Sequence, residues 1–342
     1  MNRVAILGAG SWGTALASML AGKGVDTSLW VRDPDAARAM RLAGENEKYL
    51  PGFPLPPELE VTSGLERAIS GRECLLFAVP SHGMRQVAEQ VNDLLDKSSA
   101  PGPGAFVSAS KGIENRTLMT MTGIFREVFG QKAGGRTAVL SGPSFAVEVA
   151  QKQPTAVTLA VSDMELGHLL QTLFSTDFFR VYLSSDMVGI ELGGAVKNVL
   201  AIAAGISDGM GLGTNTRAAL ITRGLAEMSR LGVRAGASPL TFSGLGGLGD
   251  LVLTCTGALS RNRQVGLRLG EGQGMEEIMN SMTMVAEGVK TARSLFNLAR
   301  RYDVQTPVID QVYRVIYEGL KPADAVRELM SRPPVHELHG IE

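Results

Sequence analysis

Residues 4–13, Val-Ala-Ile-Leu-Gly-Ala-Gly-Ser-Trp-Gly, decide the fold class of this chain. The four apolar residues predict a buried strand, and residues 14–20 after the glycines predict a helix. In such a loop Gly8 permits a tight turn, Gly10 admits a pyrophosphate against the backbone, and Gly13 lets the helix pack on the strand. The stretch therefore predicts a dinucleotide-binding loop at the start of a Rossmann-type sheet.

The end of the second predicted strand bears on which dinucleotide binds. It reads Trp-Val-Arg32-Asp33, about 20 residues past the glycines. An acidic side chain there would hold the ribose diol of NAD(H), whereas an arginine suits the 2′-phosphate of NADP(H). Arg32 favours NADP(H), although the neighbouring Asp33 leaves NAD(H) open and Arg32 can also be an ordinary solvated charge.

The pattern on either side of this loop predicts two domains. In the first half, short apolar runs alternate with helical patterns, which is typical of βαβ units in a doubly wound parallel sheet. Predicted strands cover residues 3–7, 27–31, 73–79, 105–110, 137–141, 156–161 and 179–183. Later segments predict only helices, at 186–207, 215–231, 285–302, 308–319 and 323–331. We expect an NAD(P)-binding α/β domain at 1–185 and an all-α substrate and catalytic domain at 186–342.

Composition excludes several classes of function. The 342 residues carry 33 basic and 34 acidic side chains, a net charge of −1. Without a positive excess the chain is not expected to bind nucleic acid or a membrane surface. Two cysteines suit a reducing compartment, and four scattered histidines give no metal-ligand spacing. We expect a small-molecule substrate and no metal.

The uncharged start of the chain can also be interpreted as a secretory signal peptide, because residues 4–22 carry no charge and end in small residues. The glycines at 8, 10 and 13 would break such an insertion helix. No other uncharged run approaches the roughly 20 residues of a membrane span. A cytoplasmic location with no membrane span is the better expectation.

Several strand ends and one helix carry candidates for chemistry. Lys111 and Ser144 follow predicted strands, where ligands of open α/β sheets bind, although Ser144 can be only a helix cap. Lys197 stands with Asn198 in a helix that is otherwise apolar. A buried lysine needs a partner or a depressed pKa, which suits acid–base chemistry. The alternative is a lysine whose ammonium reaches water.

The segment after the second glycine run completes the set of candidates. Residues 244–249, Gly-Leu-Gly-Gly-Leu-Gly, lack a βαβ context and are predicted to pack closely rather than bind a second nucleotide. Close packing there would let Asp250 approach the lysine helix. Farther on, Arg261 and Asn262 offer donors suited to a phosphate, although Ser260 can equally cap a solvated helix. Cys255 has no histidine partner and is not expected to act as a nucleophile.

Together these blocks resemble bacterial NAD(P)-dependent glycerol-3-phosphate dehydrogenase over residues 3–330. The matching blocks are 8–13 (Gly-Ala-Gly-Ser-Trp-Gly), 49–52 (Tyr-Leu-Pro-Gly), 110–112 (Ser-Lys-Gly), 141–146 (Ser-Gly-Pro-Ser-Phe-Ala), 148–150 (Glu-Val-Ala), 191–198 (Glu-Leu-Gly-Gly-Ala-Val-Lys-Asn), 249–256 (Gly-Asp-Leu-Val-Leu-Thr-Cys-Thr), 260–262 (Ser-Arg-Asn) and 285–288 (Val-Ala-Glu-Gly). One departure is residues 151–153, Gln-Lys-Gln, where the family usually has a glycine. Only the conformation of the turn at residues 151–153 cannot be inferred from the resemblance.

The resemblance implies a Rossmann-type domain, a helical domain like that of 6-phosphogluconate dehydrogenase, and Lys197 as the catalytic proton donor and acceptor. With the residues derived above, the expected substrate contacts are Lys111, Gly142, Ser144, Lys197, Asn198, Asp250, Thr254, Ser260, Arg261 and Asn262. The expected cofactor contacts are Gly8, Gly10, Ser11, Trp12, Gly13, Arg32, Tyr49, Lys111, Ala146, Arg261, Val285 and Glu287.

The resemblance also implies the reaction: reversible hydride transfer between NAD(P)H and dihydroxyacetone phosphate, which gives sn-glycerol 3-phosphate for phospholipid synthesis. A homodimer is expected. Two rival interpretations remain at this point. Another two-domain dehydrogenase, of the 6-phosphogluconate, 3-hydroxyisobutyrate or ketopantoate type, would share the glycine loop but lack the 249–256 and 260–262 blocks. A non-catalytic NADP sensor would need only the first half.

Overall fold

The computed structural model describes residues 1–99, 102–282, 286–334 and 336–337. The chain forms two compact units, one of Met1–Ser110 with Met121–Met187 and one of Lys111–Thr120 with Val188–Glu342. The expected first domain, 1–185, had included residues 111–120. That segment groups with the second unit because Ile113 is buried in the helical core and Leu118 packs against it.

The first unit is an eight-stranded sheet with helices. Its strands are β1 (Arg3–Leu7), β2 (Asp26–Trp30), β5 (Glu60–Thr62), β6 (Cys74–Phe77), β7 (Ala105–Ser108), β8 (Thr137–Ser141), β9 (Thr155–Val161) and β10 (Phe179–Ser184), beside a two-stranded ribbon of β3 (Glu45–Asn46) and β4 (Leu50–Pro54). Its helices are α1 (Ser11–Gly22), α2 (Pro34–Ala43), α3 (Leu65–Ile69), α4 (Met84–Lys97), α5 (Met121–Phe129), α6 (Ala146–Ala150) and α7 (Met164–Phe174), with 3₁₀ turns at Ser81–Gly83 and Gly130–Ala133.

The strand order explains where a ligand can bind. It is β10-β9-β8-β7-β6-β1-β2-β5, so β5-β2-β1-β6-β7-β8 repeats the 3-2-1-4-5-6 order of the dinucleotide fold. The order reverses between β1 and β6, which is where the glycine loop leaves β1. The predicted sheet was parallel throughout, but β8 and β9 pair antiparallel. The last two strands, β9 and β10, are parallel to each other and opposite to the rest.

The second unit is helical among its described residues. Its helices are α8 (Met187–Gly209), α9 (Thr214–Arg234), α10 (Asp250–Thr256), α11 (Arg261–Gly270), α12 (Met275–Ser281), α13 (Glu287–Arg301), α14 (Pro307–Tyr317) and α15 (Pro322–Met330). A 3₁₀ turn, Pro239–Ser243, and a π-helical turn, Leu245–Gly249, lead into α10. Helix α8 runs through the core, with residues 189–207 all buried.

Glycines let α8 and α11 touch backbone to backbone. A Cβ built on Gly205 or Gly209 of α8 would lie 2.1 Å from a carbonyl oxygen of α11. In the other direction, a Cβ on Gly266 or Gly270 of α11 would lie 2.1 or 2.3 Å from a carbonyl of α8. Such distances exclude any side chain, so two glycine pairs, each spaced by four residues, fix the position of α11 on α8.

One described helix, α8, is long and apolar enough to cross a membrane by length and composition. Its most apolar window has a mean hydropathy of 1.5, and 89% of that window is buried inside the protein. The burial accounts for the apolar composition, because this helix forms the centre of the helical core.

Candidate functional site

The glycine loop of the first unit has the geometry that a dinucleotide needs. Gly8 adopts φ +115°, and a Cβ there would lie 2.7 Å from the Ala78 carbonyl oxygen. A Cβ on Gly13 would lie 1.9 Å from the Gly8 carbonyl oxygen, so α1 packs against the loop only because that residue is glycine. Gly10 caps α1 without a side chain and has open space around it. The loop thus fits a pyrophosphate at the helix N-terminus.

Asn46 holds this loop in place and was not among the predicted residues. Its side-chain Nδ2 donates to the Ala9 carbonyl (3.0 Å) and to Thr14 Oγ1 (2.8 Å). Its Oδ1 accepts from the backbone N–H of Tyr49 (3.2 Å), and the Tyr49 carbonyl accepts from Ser11 Oγ (2.6 Å). The predicted cofactor residues Ser11 and Tyr49 are therefore hydrogen-bonded directly to one another, and buried Asn46 ties Tyr49 to the loop and to α1.

The two charges after β2 have different surroundings. Asp33 is the N-cap of α2, and its carboxylate accepts from the backbone N–H groups of Asp35 (3.0 Å) and Ala36 (3.5 Å). Arg32 is exposed. The acidic side chain is thus occupied as a helix cap, while the guanidinium faces solvent at the position that contacts the adenosine ribose in this fold.

The remaining predicted residues of the first unit lie after β8 and on the face of α1. Gly142 has φ +144°, and a Cβ there would lie 2.9 Å from Val157 Cα. Ser144 donates to the Gly142 carbonyl (3.0 Å) and does not cap α6, whose N-cap is Phe145. Ala146 opens that helix. The Trp12 ring lies 6.3 Å from the Phe179 ring.

The second unit contains a cluster of charged and polar side chains, which we call the lysine–aspartate cluster: the buried Lys197, Asp250 and Thr254 and the half-buried Lys111. Asp250 is fully buried and accepts from Lys197 Nζ on Oδ1 and from Lys111 Nζ on Oδ2, both at 2.6 Å. Lys197 also donates to Thr254 Oγ1 at 2.9 Å. One carboxylate thus serves two ammonium groups. The alternative of a solvent-reaching Lys197 does not hold, since that residue is 7% exposed.

Close backbone packing brings the partners of this cluster together, as the glycine run had suggested. A Cβ on Gly193 of α8 would lie 2.3 Å from the Gly246 carbonyl oxygen. Lys197 is one helical turn beyond Gly193, and Asp250 follows Gly246 by four residues. The glycine contact therefore places the start of α10 near enough for the short Asp250 side chain to reach the lysine.

The environment of Lys197 changes its proton affinity. Burial lowers the pKa from 10.5 to about 8, and the nearby Lys111 charge adds to the lowering, while Asp250 opposes it. An amine with such a pKa can hold and release a proton near neutral pH. By contrast, burial raises the pKa of the Cys255 thiol to about 12, so that sulfur stays protonated.

Next to the cluster lies an amide pair, Asn198 and Asn262. Asn262 Nδ2 donates to Asn198 Oδ1 (2.9 Å), and Asn262 Oδ1 accepts from the backbone N–H of Gly288 (2.9 Å). Both asparagines are buried. Gly288 had only been part of a matching block, and its role here could not be foreseen because the contact joins residues of α8, α11 and α13.

The other predicted residues of the second unit are at helix starts. Ser260 caps α11 by accepting from the Arg263 N–H (3.2 Å), and it is buried rather than solvated. Arg261 is exposed in the first turn of that helix, and Glu287 is half-buried at the start of α13. Val285 lies outside the described residues. Among the described residues there is no group of three potential metal ligands.

Comparisons with known proteins agree with this arrangement. A sequence profile described as the NAD-dependent glycerol-3-phosphate dehydrogenase N-terminus matches residues 3–167, and the corresponding C-terminus profile matches 186–327. The chain is 53% identical to glycerol-3-phosphate dehydrogenase (NAD(P)+) of Geobacter metallireducens, over 98% of this chain and 99% of that protein. It is 51% identical to the enzyme of that name from Syntrophobacter fumaroxidans, over 98% and 97%.

A solved structure is also similar over nearly the whole chain. The crystal structure of glycerol-3-phosphate dehydrogenase from Coxiella burnetii matches with a TM-score of 0.91 and 42% identity, over 96% of this chain and 98% of that one. The profiles, the relatives and this structure all carry both the glycine-loop half and the helical half. The chain therefore belongs to the NAD-dependent glycerol-3-phosphate dehydrogenase family.

Proposed function

We propose that this chain catalyses the reversible, NAD(P)H-dependent reduction of dihydroxyacetone phosphate to sn-glycerol 3-phosphate. The chain is an oxidoreductase of a family that uses NAD(P), and a small molecule is its substrate. The observation that carries the assignment of roles is the lysine–aspartate cluster. A sensor of the dinucleotide would have no use for a buried amine whose pKa lies near 8.

The cluster supports Lys197 as the group that moves the proton. When bound, the reduced nicotinamide supplies a hydride to the ketone carbon, and the ketone oxygen then needs a proton. Lys197 donates it from Nζ, while Asp250 and Thr254 hold that ammonium by hydrogen bonds of 2.6 and 2.9 Å. In the reverse direction neutral Lys197 accepts the proton of the alcohol. The buried, preformed contacts need no rearrangement during this transfer.

The remaining predicted residues receive roles in binding. In this proposal the exposed guanidinium of Arg261 pairs with the substrate phosphate, with Ser260 fixing the start of its helix, and Lys111 supplies a second cation. Gly142 and Ser144 contact substrate. Ala146, Val285, Glu287 and Trp12 are assigned to the cofactor, together with the glycine loop, Ser11 and Tyr49.

We further propose a preference for NADP(H). Arg32 is exposed after β2, whereas the Asp33 carboxylate is engaged by two backbone N–H groups of α2. A carboxylate used as a helix cap is poorly placed to accept from a ribose diol, and an exposed guanidinium pairs well with a 2′-phosphate.

The wider setting is also a proposal. Residues 1–185 act as the NAD(P)-binding domain and 186–342 as the substrate and catalytic domain, with residues 111–120 contributing Lys111 to the second unit. The enzyme works in the cytoplasm as a homodimer and supplies sn-glycerol 3-phosphate for glycerophospholipid synthesis. Sedimentation of the purified full chain tests the dimer, and a monomer across the assay concentrations would contradict it.

A spectrophotometric assay tests the reaction itself. NADPH oxidation is followed at 340 nm with dihydroxyacetone phosphate, and with dihydroxyacetone or 2-dehydropantoate as controls. We expect turnover that requires the phosphorylated ketone, and formation of sn-glycerol 3-phosphate identified with a stereospecific coupling enzyme. Turnover of 2-dehydropantoate without turnover of dihydroxyacetone phosphate would contradict the proposed function.

A further inference from the structure

The side chain of Asn46 is held in one orientation by backbone groups that can each act in only one way. The N–H of Tyr49 can only donate, and Asn46 Oδ1 accepts from it at 3.2 Å. The Ala9 carbonyl can only accept, and Asn46 Nδ2 donates to it at 3.0 Å. The same NH₂ group also donates to Thr14 Oγ1 at 2.8 Å. Asn46 is 2% exposed, so protein groups rather than solvent fix this amide.

The bond from Asn46 sets the direction of the peptide group between Ala9 and Gly10. That peptide is trans, so its C=O and its N–H point to opposite sides. Because the Ala9 carbonyl points at the buried Asn46 side chain, the Gly10 N–H points away from it. This N–H donates to no residue that the structure describes, and a Cβ built on Gly10 would meet no atom within 4 Å. The peptide thus presents a donor beside the N-terminus of α1, where an anion is favoured.

We propose that Asn46 is a positioning residue for the dinucleotide: it holds the Ala9–Gly10 peptide so that the Gly10 N–H donates to the pyrophosphate. Asn46 acts through this backbone group and needs no contact with the ligand. NADP(H) and NAD(H) share the pyrophosphate, so Asn46 serves the binding of either one. This role differs from that of Arg32, which concerns only the 2′-phosphate.

A purely structural role for Asn46 predicts a different result. A buried amide that only joined β3 to α1 would stabilise the first unit without favouring any class of ligand. Thr14 offers the comparison, because it is fully buried and its Oγ1 takes one bond of the same amide. Thr14→Val keeps the shape of that side chain and removes this bond, but it leaves the bond between Asn46 and the Ala9 carbonyl in place.

Equilibrium titration without substrate tests the proposal. Wild type, Asn46→Ala and Thr14→Val are titrated with NADPH, NADH and ADP-ribose, and with adenosine 2′-phosphate, which lacks the pyrophosphate. In Asn46→Ala the Kd of the three pyrophosphate ligands should rise about tenfold, the usual effect of losing one hydrogen bond to a charged group. The Kd of adenosine 2′-phosphate should stay within about twofold of wild type. Thr14→Val should lower the urea midpoint but leave all four Kd values within about twofold.

Three outcomes would overturn the proposal: wild-type Kd values in Asn46→Ala, an equal rise for adenosine 2′-phosphate in that variant, or an equal rise in Thr14→Val. The last two would mean a general loosening of the unit. Because the titration uses no substrate, it is independent of the reaction proposed above. A wild type that binds NADPH but does not reduce dihydroxyacetone phosphate contradicts the proposed function alone.

Hydrogen exchange of the wild type gives a measurement that does not depend on the folding of a variant. Exchange of the Gly10 N–H, followed by NMR, should slow about tenfold or more when NADPH or ADP-ribose binds, and should not change with adenosine 2′-phosphate. Unchanged exchange with NADPH would overturn the proposal. Gln171→Ala is the matched control, since it removes another side-chain amide of the first unit, one that donates to the Val181 carbonyl at 2.8 Å. It should leave the Kd of every ligand unchanged.

Discussion

Glycines serve different purposes in the two units. In the first unit a Cβ built on Gly10 would meet no atom within 4 Å, which leaves room for a ligand at the N-terminus of α1. In the second unit Gly193, Gly205 and Gly209 have no such space, because a Cβ on each would lie 2.1 to 2.3 Å from a carbonyl oxygen of a neighbouring segment. Gly10 therefore leaves space at a helix N-terminus, whereas Gly8 and Gly13 of the same loop, like the glycines of α8, bring backbone segments together.

The two candidate sites differ for the same reason. The loop of the first unit offers backbone N–H groups as donors. The charged side chain of Arg32, which follows β2, is exposed. The second unit buries the charges of Lys197 and Asp250 and half-buries that of Lys111, with Asp250 accepting from both lysines. A site made of backbone N–H groups requires only that the main chain adopt the right conformation. A buried charged site needs every partner in place, since an unpaired charge there is costly, and the close helix contacts supply that rigidity.

The largest effect should come from removing the buried amine. Lys197→Met keeps much of the volume but removes the proposed proton donor, so kcat should fall by about 10³-fold, within the usual range for general acid catalysis. NADPH affinity should stay within about twofold of wild type, because the glycine loop is untouched. Rapid-mixing assays and NADPH fluorescence titration measure the two quantities.

The matched control for this change is Lys290→Met, which alters an exposed lysine of the same unit. It should retain full turnover. Near-normal turnover in Lys197→Met would remove that lysine from the mechanism, and a large loss of NADPH affinity would contradict the separation of roles between the two units.

Next in size is a pair of substitutions that contrasts the two kinds of glycine. Gly193→Ala places a methyl group 2.3 Å from the Gly246 carbonyl, so unfolding free energy should fall by about 3 kcal/mol through overpacking. Gly10→Ala meets no neighbour, so stability should change by less than about 1 kcal/mol, while NADPH affinity falls about tenfold. Urea denaturation and NADPH titration of both variants check this.

A stable Gly193→Ala variant and a destabilised Gly10→Ala variant would contradict the contrast between these two glycines. A destabilised Gly10→Ala variant would mean that the loop is packed against the protein rather than open to a ligand. An unperturbed Gly193→Ala variant would mean that α8 and the turn before α10 need not approach closely.

The pH dependence should also distinguish the two sites. In the proposed mechanism Lys197 must be protonated for the ketone to be reduced, and its pKa is about 8. The value of kcat/KM for dihydroxyacetone phosphate should therefore fall about tenfold per pH unit above about 8, whereas oxidation of sn-glycerol 3-phosphate should rise to a plateau there. NADPH affinity should vary little between pH 7 and 9. A decline that persists in Lys197→Met would assign the titration to another group.

The sequence alone was enough to predict secondary structure wherever a local pattern of residues determines it. The apolar run 4–7 and the glycines after it specify a strand, a turn and a helix within ten residues, and the structure has β1 and α1 at that place. Long uninterrupted helical patterns after residue 185 were predicted to within a few residues for the same reason. The direction of β9 was not predicted, because the sequence pattern of residues 156–161 is the same whichever way the strand runs. Only its antiparallel pairing with β8 shows that it is reversed relative to that strand.

The candidate sites show the same limit. Lys197 was found because a charge in an apolar helix is a local anomaly, but its bond to Asp250 spans 53 positions and Lys111 joins from a segment 139 positions away. Asn46 lies in a two-residue strand without any recognisable pattern. The spacing of Gly205 with Gly209 and of Gly266 with Gly270 was a usable signal, since glycines four apart lie on one face of a helix.

The smallest expected effect concerns the cofactor. Arg32→Ala should lower kcat/KM with NADPH about tenfold, the usual scale for one exposed charge-assisted contact, and leave kcat/KM with NADH nearly unchanged. Arg38→Ala, a change of an exposed arginine on α2, is the matched control and should alter neither value. The reason is that the Asp33 carboxylate accepts from N–H groups of α2, whereas Arg32 is exposed and is the residue proposed to bind the 2′-phosphate. An unchanged NADPH-to-NADH ratio would show that Arg32 is a solvated charge, and selection between the two dinucleotides would then have to come from the backbone of the loop.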